Sequence, residues 1–321
     1  MRSIVSKLKL LIKGSGISQV TRVIWYTINK WHFDREYKKN IIHDIHKAEK
    51  VAPGRLLEMA WIVQGVRVDF ENASLEVRFL ASDMVRISWE PGESPVHYAL
   101  CKLDWPQIHI NYQTSNDGIG AESKDVRISV STNGCIHFIK PDGVILHTEL
   151  PPCFTVTPLG PFWIASSTLQ SDECLFGLGE HTGKINLVGS THRFWNQDPG
   201  GAYKQGFDPI YMPIPVYLGL HNNGSYLIFH ENYHPSTFTS NHDPIEKFEE
   251  QVRFSFEGGR LQYYFIPGPP SRALARFTEL TGRPSLPPIW SLGYHQSRWG
   301  YKTQAEILEI ARGFQAHDIP V

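Results

Sequence analysis

The sequence predicts a mainly β fold, in which a large antiparallel β-sandwich is followed by the first β-α unit of a (β/α)8 barrel. Two observations carry this prediction. Residues 51–287 contain short segments of alternating apolar and polar residues separated by turn sequences, and residues 288–321 carry one helical pattern after a short apolar run. A length of 321 residues leaves room for two domains. We therefore expect a sandwich domain over 51–287 and a barrel segment over 288–321, preceded by an extension over 1–50.

The alternating segments indicate strands with one buried face. Residues 75–79 and 85–89 alternate with a period of two, as strands do when one face of a sheet meets water. Asn133-Gly134 and Asn223-Gly224 separate such runs, and this dipeptide is typical of tight hairpin turns. Helical periodicity in this region is confined to about 271–280. A meander of hairpins folded into a sandwich follows.

The tail after Pro287-Pro288 has a different pattern. Residues 290–294 are predicted to form an apolar strand, and Thr303 with Glu306 gives the capping-box signature of a helix start. A strand followed by a helix belongs to parallel sheets that are covered on both faces. A barrel of eight such units takes about 250 residues, whereas 34 residues remain from Pro288 to Val321. The sequence therefore predicts a truncated barrel.

Residues 1–50 form a basic extension. The segment before Asp34 contains no acidic residue and six basic ones, Arg2, Lys7, Lys9, Lys13, Arg22 and Lys30. From Ser18 onward, apolar residues recur at spacings of four and three, which predicts an amphipathic helix. Packing of this helix on the domain surface is the favoured interpretation, and a transit peptide or a peripheral membrane anchor are the alternatives. A secretory apolar region and an A-x-A cleavage site are both missing, so a cytoplasmic location is expected.

Charge and cysteine content exclude several classes of function. Lysine and arginine number 31 against 32 aspartates and glutamates, so the chain lacks the positive surplus of a nucleic-acid-binding protein. Its four cysteines show no CxxC pair and no metal-ligand spacing, which predicts buried, reduced thiols; they are Cys101, Cys135, Cys153 and Cys174. Neither a metal nor a cofactor is predicted.

Two motifs resemble well-known sites but lack the required context. His230, Glu231 and His234 fit H-E-x-x-H, yet the motif follows a strand and precedes Pro235, whereas zinc binding by this pattern needs a helix. Residues 177–183 resemble a dinucleotide fingerprint, but the third glycine is one position late and no helix follows. We expect these glycines to mark close backbone approach at a strand end.

Residues 195–212 form a loop rich in glycine and aromatic residues, with carboxylates at Asp198 and Asp208. A carboxylate can accept hydrogen bonds from two adjacent sugar hydroxyls, and an aromatic ring can cover the apolar face of a pyranose. Asp208 directly precedes Pro209 and is interpreted as a turn residue. For Asp198, a turn with Pro199-Gly200 and a sugar-binding role both remain open.

Four ordered motifs in the chain resemble glycoside hydrolase family 31. They are FGLGEHTGKINLVGSTHRFWNQDPGG, IPVYLGLHNNGSYLIFHENYHPSTF, YYFIPGPP, and PPIWSLGYHQSRWGY followed by AEILEIARGFQAHDIPV. The resemblance covers about 51–321 and is strongest from residue 170 onward. It implies a galactose-mutarotase-like β-sandwich followed by a (β/α)8 catalytic barrel, and retaining hydrolysis of α-linked glucosides and related sugars.

The resemblance also implies two substrate-binding residues. Asp198 matches an aspartate of the family that reaches from a sandwich loop over the barrel mouth and binds hydroxyls of the sugar in the minus-one subsite. The family commonly has Asn-Thr-Asp there, and this chain has Asn196-Gln197-Asp198. Trp299, which follows Arg298, matches an aromatic position at the end of the first barrel strand that lines the same subsite.

No catalytic residue is assigned. A retaining glycosidase needs two carboxyl groups about 5–5.5 Å apart, and the family carries its nucleophile and its acid/base on later barrel strands, which places them downstream of Val321. Glu180 and Asp208 lie in the sandwich and are not assigned to these roles. The chain alone is predicted to be inactive.

The first hypothesis is therefore an N-terminal part of a retaining α-glucosidase. Its partners would be an α-linked glucoside or oligosaccharide, and a downstream catalytic barrel in the same or a second polypeptide. A non-catalytic carbohydrate-binding sandwich is the alternative from another class. A fragment of an α-xylosidase or an α-glucan lyase is the alternative within the family.

Overall fold

Two antiparallel sheets dominate the computed structural model, which describes residues 17–37, 49–158, 160–199, 204–241, 251–298 and 300–320. The strands of the first half are β1 (Leu56–Ile62), β2 (Gly65–Phe70), β3 (Ser74–Ala81), β4 (Met84–Glu90), β5 (Asn111–Ser115), β6 (Gly118–Glu122), β7 (Arg127–Ser131), β8 (Ile136–Ile139) and β9 (Ile145–Thr157). Those of the second half are β10 (Gly160–Thr168), β11 (Cys174–Gly179), β12 (Thr191–Phe194), β13 (Pro213–His221), β14 (Gly224–His230), β15 (Ser236–Asn241), β16 (Gln251–Phe256) and β17 (Leu261–Pro267).

The strands form one sheet of eight and one of nine, and the described pairings between neighbours are antiparallel. The first sheet has the order β1-β2-β3-β4-β17-β14-β13-β11, and the second has the order β12-β15-β16-β10-β9-β8-β7-β6-β5. The neighbours β4 and β17 lie far apart in the chain, so the eight-stranded sheet forms only when strands that are distant in sequence pair with each other. The predicted antiparallel sandwich is confirmed.

The period-two segments and the turn dipeptides behave as predicted. In β3, Leu75, Val77 and Phe79 are buried while the residues between them are half-buried. Asn133-Gly134 connects β7 to β8, and Gly134 has φ 89°, which a side chain would strain. The hairpin predicted at Asn223-Gly224 forms between β13 and β14, with Asn222-Asn223 as its turn and Gly224 paired with His221.

The main core lies between the sheets and contains apolar residues from both. Phe138 of the nine-stranded sheet stacks on Phe265 of the eight-stranded sheet, with ring centroids 3.9 Å apart. Trp89 and Trp163 are fully buried, and the indole nitrogen of Trp163 donates to the Pro91 carbonyl at 3.1 Å. Contacts of this kind bury large aromatic area and join the two sheets into one unit.

Helix α1 (Ile17–Tyr37) confirms the predicted N-terminal helix. The favoured interpretation, packing on the domain surface, is wrong: Trp25 is 71% exposed and Trp31 is 60% exposed. The recurrence of apolar residues at spacings of four and three predicted the helix correctly, but it could not show whether another surface of the protein was close enough to cover them. No helix in the described part of the chain combines the length and the apolar composition that crossing a bilayer requires.

Helix α2 (Pro270–Thr281) confirms the helix expected over 271–280. It packs on the face of the eight-stranded sheet that points away from the main core, where Ala273 and Leu280 are buried with Met84 and Leu227. The buried carboxylate of Asp83 accepts hydrogen bonds from the guanidinium groups of two arginines of the helix, Arg272 at 2.9 Å and Arg276 at 2.8 Å.

In the tail, helix α3 (Gln304–Ala316) begins where the capping box predicts. The hydroxyl oxygen of Thr303 accepts from the backbone N–H of Glu306 at 3.2 Å, and the Glu306 carboxylate accepts from the N–H of Lys302 at 2.8 Å. The strand predicted over 290–294 is wrong, because the chain forms a short 3-10 helix, Ile289–Leu292, and then an irregular segment. A strand depends on hydrogen bonds from neighbouring strands, and no described strand pairs with this segment.

The four cysteines are free thiols, as predicted, but their predicted burial is wrong. Cys101 is exposed, and Cys135, Cys153 and Cys174 are half-buried. Partial burial raises the pKa of the Cys135 and Cys153 thiols, because it disfavours the thiolate. Cysteine spacing alone carries no information on which face of a strand the side chain takes.

Candidate functional site

The loop between β12 and β13 carries the candidate site, and the structure describes it over 195–199 and 204–212. Its two ends run side by side: the backbone N–H of Gln197 donates to the Ile210 carbonyl at 3.3 Å, and the side-chain amide of Asn196 donates to the Tyr211 carbonyl at 3.1 Å. Ile210 is buried at this point. We call the hydrogen-bonded segments 196–197 and 210–211 the neck of the loop. Asp198 follows Gln197 directly and is exposed, so the neck presents its carboxylate at the surface.

The base of the loop is held by Asp208 and Arg193. One carboxylate oxygen of Asp208 accepts the backbone N–H of Arg193 at 2.6 Å, and the other lies 3.4 Å from Nδ1 of His192. The Arg193 guanidinium in turn lies 2.5 Å from the buried carboxylate of Glu257. The carboxylate of Asp208 therefore holds the loop against β12 by hydrogen bonds, a contact that its interpretation as a turn residue did not include.

The second attachment of the loop is Thr182, in the segment after β11. Its hydroxyl donates to the Phe207 carbonyl at 3.0 Å, and its own carbonyl accepts from the Gly206 N–H at 3.1 Å. Close by, a Cβ atom added to Gly179 would lie 2.3 Å from the carbonyl oxygen of Met212. The expected close backbone approach at this strand end is confirmed, and it sets the position where the loop joins β13.

Three aromatic side chains of the loop remain accessible. Trp195 is 40% exposed, Phe207 37% and Tyr211 44%. On a loop that carries both, an exposed carboxylate can accept hydrogen bonds from adjacent hydroxyls and partly exposed aromatic rings can cover an apolar face. The described part of the loop is therefore suited to a flat, hydroxyl-rich ligand.

The second predicted site residue, Trp299, lies outside the described residues. The described residues around it form a local cluster, in which the Arg298 guanidinium lies 4.9 Å from the ring centroid of Tyr301 and the Gln296 amide donates to the Tyr301 hydroxyl at 3.0 Å. Its proposed role beside Asp198 stays a prediction.

The side chains of the H-E-x-x-H motif have different surroundings from one another. His230 is enclosed by aromatic rings, with that of Phe254 at 4.3 Å, and burial lowers its pKa to about 3. The Glu231 carboxylate accepts hydrogen bonds from Gln262 at 2.6 Å and Tyr264 at 2.7 Å. Within the described ranges, no group of three or more His, Cys, Asp and Glu side chains is arranged to hold a metal ion.

The residues that position the loop were missed by the sequence reasoning. Arg193 lies two positions before the predicted loop, but its partner Glu257 is 64 positions away. Thr182 lies within the glycine-rich segment that the sequence reasoning identified only as a strand end. Neither contact leaves a local pattern, because both depend on how β11, β12 and β16 come together.

Family models match two parts of the chain. Residues 74–238 match the model described as "Glycosyl hydrolase 31 N-terminal galactose mutarotase-like domain". Residues 284–321 match the one described as "Glycosyl hydrolases family 31 TIM-barrel domain". The loop with Asp198 lies within the first match, and Trp299 lies within the second.

Several named proteins are similar to the chain. "Alpha-glucosidase 2" of Bacillus thermoamyloliquefaciens is 29% identical over 263 residues, which are 78% of this chain and 32% of that protein. "Alpha-xylosidase XylQ" of Lactiplantibacillus pentosus is 35% identical over 47% of this chain and 19% of its own length. The chain therefore spans about a third or less of the length of these relatives.

Solved structures share the fold. A family 31 dextranase of Flavobacterium johnsoniae, in complex with isomaltotriose, superimposes with a TM-score of 0.73 at 23% identity, covering 84% of this chain and 33% of that one. A cycloalternan-forming enzyme of Listeria monocytogenes, in complex with a pentasaccharide substrate, gives a TM-score of 0.70 at 17% identity, covering 85% and 26%. These likenesses show the architecture of the sandwich.

Proposed function

The chain belongs to glycosyl hydrolase family 31, and we propose that it supplies the substrate-binding sandwich loop of a retaining α-glucosidase-type enzyme. The family resemblance predicted from the sequence motifs is confirmed by the two matched models. The substrate class is proposed from the relatives, which are named as α-glucosidases and α-xylosidases, and from a related dextranase structure that holds isomaltotriose.

The observation that carries the proposal is the exposed Asp198 on a loop tied at its neck and at its base. We propose that its carboxylate accepts hydrogen bonds from two adjacent hydroxyls of the sugar in the minus-one subsite, while Trp299 lines the same subsite. A rigid base supports this role, because a ligand then need not order the loop on binding. The nucleophile and the acid/base would come from later barrel strands, in the same or a second polypeptide.

The first test is activity of the 321-residue chain on an aryl α-glucoside. We expect no turnover above that of an Asp198→Ala variant, because this chain would bind substrate without providing the carboxyl pair. Turnover that exceeds the variant's rate would contradict the proposed division of roles.

The second test supplies the rest of a barrel. Residues 51–321 are joined to the later barrel strands of the α-glucosidase of Bacillus thermoamyloliquefaciens, and kcat/KM is measured on aryl α-glucoside and aryl α-xyloside. We expect Asp198→Ala to lower kcat/KM at least about 100-fold, since hydrogen bonds to a charged group contribute about 1.5–3 kcal/mol each. Lys204→Ala, an exposed residue of the same loop, is the matched control and is expected to stay within about twofold. Equal losses in the two variants would count against Asp198 as a binding residue.

A carbohydrate-binding sandwich without catalysis is the second candidate. The specific observation in its favour is the set of partly exposed rings of Trp195, Phe207 and Tyr211 on the loop that carries Asp198. Calorimetric titration of isomaltotriose into the chain alone discriminates the two candidates. Micromolar binding that Trp195→Ala abolishes, together with an inactive fusion, would favour the binding module.

A further inference from the structure

Exposed apolar side chains occur on more than one side of helix α1, and four of them share a face that no described element covers. Ile24, Trp25, Ile28 and Trp31 are 46%, 71%, 58% and 60% exposed. At 3.6 residues per turn, these four side chains fall within about 120° of the helix circumference. We call this surface the apolar arc of α1. Its two tryptophans are unusual at such exposure, because burying an indole is strongly favourable.

Positive charge borders the apolar arc. Arg22 lies beyond the Trp25 edge and Lys30 beyond the Trp31 edge on the helical wheel. Arg35 falls within the angular range of the arc, one turn after Trp31, and its guanidinium lies 5.3 Å from the Trp31 ring centroid. The sequence from 1 to 33 holds six basic residues and no acidic one, whereas the whole chain has a net charge of −1. The only acidic residues of the helix, Asp34 and Glu36, come in its last turn.

An arc of isoleucine and tryptophan bordered by cations has the chemistry of an interfacial helix. Such helices lie in the plane of the membrane surface with the apolar face among the acyl chains, and tryptophan prefers that interface. The five charged residues of α1 oppose a transmembrane position. A second copy of the chain is a poorer occupant, because two cationic segments would meet with like charges.

We propose that α1 binds the surface of bilayers that contain anionic lipids, with the apolar arc among the acyl chains and the bordering cations Arg22 and Lys30 on the headgroups. The β-sandwich and its loop would then be held at a membrane surface. This inference does not depend on the proposed enzymatic function, since it rests on a segment outside the matched family models.

Vesicle co-sedimentation of the full chain tests the proposal. Vesicles of phosphatidylcholine with about a third phosphatidylglycerol are compared with pure phosphatidylcholine, at 0.1 and 1 M salt as chosen conditions. We expect binding to the anionic vesicles at low salt and its loss at high salt, because the headgroup charge is screened. Binding to neither vesicle, or equal binding to both, would overturn the proposal.

Two double variants separate the contribution of charge to vesicle binding from the contribution of apolar contacts. Arg22→Glu with Lys30→Glu should reduce partitioning into anionic vesicles more than tenfold, at about fivefold per lost cation. Trp25→Ser with Trp31→Ser should also reduce it at least tenfold. Tyr26→Ala is the matched control, since Tyr26 is 60% exposed but lies on the opposite side of α1, and it should change partitioning less than twofold. Equal effects of Trp31→Ser and Tyr26→Ala would contradict an oriented helix.

Two further measurements distinguish a loss of membrane binding from unfolding of the sandwich and from self-association of the chain. Urea unfolding of the sandwich should be unchanged in every variant, because α1 lies outside the β core. Light scattering reports the oligomeric state without lipid, and a dimer that dissociates on Trp25→Ser with Trp31→Ser would assign the arc to self-association and overturn the membrane proposal.

Discussion

Aromatic and aliphatic side chains are buried in the sandwich but exposed in the tail that follows it. In the sandwich, Trp89 is 1% exposed and Phe265 fully buried, whereas in the tail Ile289 is 89% exposed and Trp290 78%. Both regions are rich in aromatic and aliphatic residues. The sandwich has two sheets whose inner faces cover each other, whereas the described tail consists of a short 3-10 helix and helix α3 and pairs with no described strand.

Helix α2 lies at the boundary between the region with buried apolar side chains and the region where they are exposed. It follows the last strand of the sandwich, yet Ala273 and Leu280 are buried on the eight-stranded sheet, and Asp83 binds two of its arginines. From Leu286, which is 95% exposed, onward the apolar residues lose such support. The difference teaches that burial depends on the available partner surface as much as on residue type.

The largest expected effect tests this contrast with one substitution at two places. Trp89→Ala should lower the free energy of unfolding by about 3–5 kcal/mol, because it removes a buried ring and leaves a cavity beside Phe70. Trp290→Ala should change it by less than about 0.5 kcal/mol, since its ring is mostly exposed. Urea unfolding followed by circular dichroism measures both. Comparable losses would show that the tail contributes to the stability of the sandwich.

An intermediate effect concerns the pH dependence of the sandwich core. Burial, with His147 as a secondary cause, lowers the pKa of His230 to about 3 from its ordinary 6.5. Between these values the unfolded chain binds a proton that the folded chain excludes, so stability is complete above pH 6.5 and falls as the pH falls. From pH 7.5 to 4.5 the loss from this residue should be about 2–3 kcal/mol.

His230→Phe should remove that component, so the stability of the variant relative to the native chain should rise as the pH is lowered from 7.5 to 4.5. Urea unfolding at each pH measures the change. His109→Phe is the control, since His109 is exposed and should leave the slope unaltered. Parallel pH profiles for the native chain and His230→Phe would refute burial of a neutral imidazole at this position.

The smallest expected effect is confined to the tail. Thr303→Ala removes the side-chain oxygen that accepts the Glu306 N–H, and loss of such a cap destabilises a helix by about 1 kcal/mol. Hydrogen exchange should accelerate about fivefold for amides of 304–316 and stay unchanged in the sandwich. Slower folding or weaker protection of sandwich amides would mean that the two regions are coupled.

Local patterns predicted the character of the sandwich and several of its elements. Alternation identified β3 and β4, Asn-Gly pairs located two hairpins, and the capping box located the start of α3. The same approach predicted a strand over 290–294 that the structure does not form, and a surface-packed α1 whose tryptophans are exposed. Both errors concern contacts with other parts of the structure, about which a local sequence pattern carries no information.

The residues of the candidate site also fall into a group that the sequence predicted and a group that only the structure revealed. Asp198 and the aromatic loop were evident from composition and from the family motifs. The ties that hold the loop were not, because Arg193 reaches Glu257 and Thr182 reaches Phe207 only after distant strands have paired.

By itself, then, the sequence determined the class of fold, the family, the turns and the helix starts, since these follow from residue type and near-neighbour spacing. The tertiary structure alone decided the order of strands, the burial of each tryptophan and the anchoring of the loop. Long-range hydrogen bonds and the burial of apolar area depend on which surfaces meet in space, and many chain paths are compatible with the same local pattern.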